Sequence, residues 1–134
     1  MSVEPNLEPG LEATAEETVD EAMTASGVGS GDVHVLATPA VLALVERAAV
    51  AALRGRLPGG TTSVGSAVEL RHLAPTPVGA RVQARARLDR VDGSRLTFSF
   101  TVRDPAGEVA RGTHVRVVVD GERFVASANV RLGG

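Results

Sequence analysis

The stretch from Thr38 to Leu53, Thr-Pro-Ala-Val-Leu-Ala-Leu-Val-Glu-Arg-Ala-Ala-Val-Ala-Ala-Leu, limits what this chain can fold into more than any other. Thr38 suits a helix N-cap, where its hydroxyl accepts from an otherwise orphaned N–H, and Pro39 suits the first helical position, where no donor is missed. Beyond them Val41, Leu42, Leu44, Val45, Ala48, Ala49, Val50, Ala52 and Leu53 leave almost no polar face. The pattern predicts one buried helix over residues 39–53. At about 15 residues it is too short to cross a bilayer, which takes roughly 20. Glu46 therefore stands among apolar neighbours, where a carboxylate must be paired, hydrogen-bonded or shifted in pKa, and such groups gather at functional sites.

From Thr61 the period changes from helical to two. Val64, Ser66, Val68, Leu70 and His72 fall on one face of a predicted strand, and Gly65, Ala67, Glu69, Arg71 and Leu73 on the other. Pro75 to Gly79 turns the chain. Val82, Ala84, Ala86 and Leu88 then alternate with arginines and other polar residues, Asp92-Gly93 closes a hairpin, and Leu96, Phe98, Phe100 and Val102 continue it. After a turn at Pro105-Ala-Gly107, residues 109–119 read as another strand, and the end of the chain as a short helix or strand. Ahead of the helix, residues 1–10 read as a flexible tail, Leu11 to Val19 as a first strand whose glutamates favour an edge, and Ser26 to Gly31 as a flexible connection able to close over a cleft.

One buried helix with antiparallel strands, each apolar on a single face, describes an α+β layer in which the sheet wraps the helix, the hot-dog arrangement, here over residues 11–134. A lone helix and valine-rich strands leave edges uncovered, so pairing with a second copy is expected.

Composition narrows the functions open to such a fold. The only aromatic residues are three phenylalanines, and the net charge is −2, with arginines spread among acids, so there is neither a stacking platform nor a basic stripe for nucleic acid. The absence of cysteine removes thiolate catalysis, disulfides and cysteine-ligated zinc. The acidic N-terminus lacks the order of a signal peptide, and a cytoplasmic location with no membrane partner is expected.

The chemistry then rests on few residues. His34, His72 and His114 are the only imidazoles, and none is spaced from another as helical zinc ligands are. Alternation turns His72 toward the buried side of the sheet, where the helix carrying Glu46 must pack. A carboxylate and an imidazole meeting there suit general base or nucleophile work. Thr38 adds a hydroxyl at the helix mouth, where the dipole favours a developing oxyanion. Each has a plainer reading: Thr38 as a cap only, Glu46 as half of a structural ion pair with Arg47 or a strand arginine, His72 as a satisfied core histidine, Gly65 as a bulge.

Ala37 to Glu46, Ser63 to His72, Pro75 to Gly79 and Gly112-Thr-His-Val-Arg116 together resemble the fluoroacetyl-CoA thioesterase-like family of hot-dog proteins. In that family a helix carries Thr or Ser with Glu eight residues on, and a strand His follows 26 residues later; positions 38, 46 and 72 reproduce both intervals. The resemblance implies hydrolysis of an acyl-CoA thioester by a homodimer without a metal or redox cofactor. Glu46 would attack or activate water, His72 assist proton transfer, Thr38 orient the thioester, and Gly65 lie near the acyl group. The fluoroacetyl-specific member has a longer, aromatic-rich segment where this chain has Ala25 to His34, which separates the general activity from any preference for a fluorinated acyl group. A non-catalytic hot-dog module binding an acyl or other small ligand is the alternative, and a hydratase of the same fold would more usually carry a helix-borne Asp.

Overall fold

In the computed structural model, residues 4–134 are described. They form β1 (Glu12–Thr18), a single 3-10 turn, α1 (Ala25–Val28), α2 (Thr38–Leu53), β2 (Thr61–His72), β3 (Arg81–Asp92), β4 (Arg95–Asp104), β5 (Gly107–Asp120) and α3 (Gly121–Arg131). Residues 1–3 of the expected tail lie outside the described residues. From there on the chain makes contact early: Leu7 packs against the core, and the Gly10 N–H donates to the Leu88 carbonyl at 2.8 Å.

The five strands make one antiparallel sheet in the order β1-β3-β4-β5-β2. The expected alternation is visible in burial, since Val82, Ala84, Ala86 and Leu88 of β3 and Leu96, Phe98, Phe100 and Val102 of β4 are all buried. Against them α2 buries Val41, Leu44, Val45, Ala48, Ala49, Ala52 and Leu53. In a chain so poor in aromatic bulk, the alanines on both surfaces let helix and sheet backbones approach closely, which keeps the core dense. The fold is the expected α+β one, a curled sheet packed on one central helix. No helix among the described residues is long and apolar enough to cross a membrane.

Three local readings change. Ala37, not Thr38, is the N-cap of α2, and it makes no side-chain cap. The entry to the helix is pinned by backbone bonds, Leu36 N–H to Thr76 O and Ala37 N–H to Met23 O, both 2.8 Å. The first turn therefore starts one residue early and leaves the Thr38 hydroxyl free to meet β2. The Ser26 to Gly31 connection is built rather than loose: the Thr24 side chain accepts from the Gly27 N–H as cap of α1, and Gly29 ends that turn at φ 79°. A Cβ at Gly27 would strike the Glu21 carbonyl.

The third change concerns β2, whose pairing with β5 slips between Gly65 and Ala67. A bulge opposes two residues to one and reverses the alternation beyond it. Strict alternation puts Gly65 and His72 on opposite faces. With the slip, Ser63 and Gly65 ahead of it and Val68, Leu70 and His72 after it all turn toward α2, as their contacts with Arg116, Glu46, the core and Thr38 demonstrate.

Candidate active site

The side of α2 that the core leaves open is a stripe at four-residue spacing, Leu42, Glu46 and Val50, with Leu42 and Glu46 half-buried and Val50 exposed. It faces edge strand β2. Between them lies a cavity of about 300 Å³ whose lining includes Leu42, Glu46, Gly65, Ser66, Val68 and His114.

At one end of this region the Thr38 Oγ1 and His72 Nδ1 lie 2.8 Å apart, in hydrogen-bond contact. His72 Nε2 is buried and without a hydrogen-bond partner among the described residues. Burial pushes the His72 pKa down, because the charged imidazolium loses hydration there. The ring is therefore neutral near pH 7 and able to take up a proton.

Further along α2, Glu46 is held from β5. Its Oε2 accepts from Arg116 Nη1 at 3.3 Å. Arg116, 6% exposed, also donates from Nε to Ser63 Oγ at 2.8 Å and from Nη2 to Ser63 O at 3.0 Å. Burial lowers the Arg116 pKa and the Glu46 carboxylate opposes that, yet a guanidinium starts so high that it stays charged. Gly65 sits directly over the carboxylate, for a Cβ there would fall 2.7 Å from Glu46 Oε2. The smallest side chain is thus required where β2 crosses the acid.

The expected residues fall into two groups along the face between α2 and β2, and of them only Glu46 and Gly65 line the cavity. Thr38 and His72 form one, Glu46 and Gly65 the other, and the hydrogen bonds of Glu46 run to Arg116 rather than to His72. Thr38 and Glu46 stand two helical turns apart, roughly 12 Å at 1.5 Å per residue, so one imidazole bound at the helix start does not also reach the acid. The strand arginine weighed as a partner for Glu46 is Arg116, while His114, named only as an imidazole, was given no partner by sequence reasoning. The signal was present in the alternation of β5, where Ala110, His114, Arg116 and Val118 are all buried on one face. His34, the remaining imidazole, meets Glu21 at 3.1 Å on the surface.

Residues 19–122 match the family model described as FlK, fluoroacetyl-CoA-specific thioesterase. The fluoroacetyl-CoA thioesterase of Streptantibioticus cattleyicolor is 38% identical over 93 residues, 69% of this chain and 67% of that protein. Among solved structures, an FlK mutant in complex with acetyl-CoA has a TM-score of 0.88 at 29% identity, covering 93% of this chain and 98% of that one. A hot-dog-like protein from Thermanaerovibrio acidaminovorans gives 0.87 at 31% identity, with 96% and 95% covered. A thioesterase superfamily member from Thermus thermophilus gives 0.84 at 30% identity, with 94% and 93% covered. Sequence and fold agree, and the chain belongs to the FlK family of fluoroacetyl-CoA-specific thioesterases, thioester hydrolases of hot-dog fold.

Proposed function

We propose that this protein hydrolyses a small acyl-CoA thioester to the free acid and coenzyme A, and that Thr38, Glu46 and His72 carry the reaction in a homodimer. The observation that supports this most is the Glu46 carboxylate, which lines an apolar cavity, is aimed by a buried guanidinium and has a glycine above it. Such a carboxylate attacks the thioester carbonyl itself or takes a proton from an attacking water. In the second case the water oxygen bonds to carbon, the C–S bond breaks, and the thiolate leaves with a proton relayed by His72. The Thr38 hydroxyl, near the positive end of α2, orients the thioester oxygen.

The two groups of residues complete one site if β2 pairs with β2 of a second copy. An antiparallel two-fold about Val68, which is 41% exposed on this edge, sets residue 65 opposite residue 71. It brings Thr38 and His72 of one copy beside Gly65 and Glu46 of the other. Glu46 and His72 then meet across the seam rather than within a chain. A monomer by light scattering at micromolar concentration would remove this arrangement.

Free-thiol release from a panel of short, branched and aromatic acyl-CoA esters tests the activity. Glu46→Gln keeps the shape and removes the charge, and it should lower turnover about 10²-fold or more. The ion pair with Arg116 favours a second reading, in which Glu46 is structural. On that reading the same change takes the charged partner from a buried guanidinium that keeps its Ser63 and His114 contacts, and lowers stability by about 1–3 kcal/mol, with hydrolysis by the folded fraction near normal. Melting temperature and thiol release on this one variant separate the two.

A further inference from the structure

His114 lies in the middle of β5, 2% exposed, opposite Val68 on one side and Phe98 on the other, with the Phe98 ring centroid 6.5 Å away. Its two nitrogens have partners of opposite kind. Nδ1 is 2.9 Å from the Ala67 carbonyl, which can only accept, so Nδ1 carries a hydrogen. Nε2 is 3.1 Å from Arg116 Nη1, which can only donate, so Nε2 is bare. Both bonds exist together only in the neutral Nδ1–H tautomer. An imidazolium would turn an N–H toward a guanidinium.

The groups that face this ring are few. Arg116 comes from its own strand and Glu46 from α2, whereas β2 offers the Ala67 carbonyl and β4 only Phe98. Burial lowers the His114 pKa and the Arg116 charge lowers it further, against the opposing pull of Ala67 and Glu46.

We propose that His114 is a positioning residue, a neutral acceptor that fixes Arg116 Nη1 on Glu46 and ties that aim to the β2 bulge through Ala67. The same Nη1 is shared between His114 Nε2 and Glu46 Oε2, while Ser63 holds the other two guanidinium nitrogens. Without His114, the nitrogen facing the acid has no second anchor. A neutral anchor also has an advantage over a carboxylate: it directs the guanidinium without neutralising it, so the positive charge acts on Glu46 undivided. The role rests on the reading of Glu46 as the reacting carboxylate.

The test uses His114→Phe, which keeps a ring but neither hydrogen bond, and His114→Gln, whose amide oxygen can accept from Arg116. His114→Phe should lower kcat roughly 10- to 100-fold, the scale of a misaimed catalytic group, with KM changed less than threefold. His114→Gln should recover most of the loss. In the wild type, 15N NMR of the imidazole should give a single neutral Nδ1–H form at pH 7.5, and Arg116→Met, which leaves the Ala67 bond but removes the neighbouring positive charge, should move the onset of the charged ring to higher pH. A folded His114→Phe protein with kcat within twofold of wild type overturns the proposal, as does an Nε2–H or charged ring at pH 7.5. If His114→Phe does not fold, the kinetics of His114→Gln and the wild-type spectrum decide, and a Gln variant that loses activity as fully as Glu46→Gln counts against it. If the wild type releases no thiol from any ester, the reading of Glu46 has failed, while the spectrum still settles whether His114 holds Arg116 as described.

Discussion

The two edges of the sheet meet the same difficulty, unpaired backbone, with opposite chemistry. On β1 the outward glutamates reach across to β3: Glu16 pairs with Arg81 and Gln83, and Glu12 with Arg85, all in solvent. Charge of this kind blunts an edge. On β2 the edge keeps an exposed valine, a glycine and a slipped register, and its cation, Arg116, is buried behind it on the neighbouring strand. One edge is closed to partners by its own side chains. The other lacks such pairs beside the cavity, so that, with the chemistry proposed for Glu46, stability and reaction would draw on different halves of one sheet.

Changes placed in each half can break or sharpen that division, and the largest effect belongs to the core under the β1 edge. Leu88 is wholly buried on β3, and Leu88→Ala should cost about 2–5 kcal/mol in a denaturant titration, with turnover per folded molecule unchanged. A parallel loss of turnover would show that the halves are not independent. On the other side, Gly65→Ala should do the reverse. Its Cβ displaces the Glu46 carboxylate, so thiol release should drop roughly 10-fold, with the unfolding midpoint moving far less than in Leu88→Ala.

Acid should act through the β2 half first. His72 and His114 both have folded-state pKa values below the ordinary histidine value of about 6.5. As pH falls from about 6.5 toward those lowered values, the unfolded chain binds more protons than the folded one, and stability decreases. Above that window the full stability is present. The melting temperature should therefore be lower at pH 5 than at pH 7.5, and an unchanged or higher value would contradict the buried neutral rings. Glu12 and Glu16, lowered first by their hydrogen bonds to Arg85 and Arg81, lose their contribution only at more acid pH, as they protonate. The smallest effect is expected from Glu16→Gln, which removes an exposed pair of the β1 edge. It should leave both midpoint and turnover within measurement error, and a shift rivalling Leu88→Ala would mean that the charged edge is structural after all.

Much of this was legible in the chain before any coordinates. The all-apolar run placed α2, clean alternation placed β3 and β4, and Asp92-Gly93 placed their hairpin, with Gly93 at φ 63°. Those signals are strong because burial on one face enforces them residue by residue. The site was less legible for two physical reasons. Hydrogen-bond partners such as Arg116 and Glu46 are brought together by the β5 register, which local pattern does not encode. The slip in β2 is signalled only by Gly65, whose reading as a bulge the register bears out; Ser63 to Val68 otherwise mixes small polar and apolar residues on both faces, so alternation alone put Gly65 on the wrong side of His72.

That slip gives the length of β2 a meaning separate from its composition. Along a strand each residue is a half rotation, so the extra position between Gly65 and Ala67 works as a reading-frame correction for every side chain beyond it. Ser63 and Gly65 are read in one frame, Val68, Leu70 and His72 in the other, and both frames deliver to the α2 side. Removing one residue there would leave Thr38, Glu46 and His72 all present and yet carry the imidazole to the far face of the sheet. Exchanging Ser66 for another small residue would keep the count and hence the geometry. In this protein the distance from Gly65 to His72, counted in residues, is as much a determinant of the site as the identity of either end.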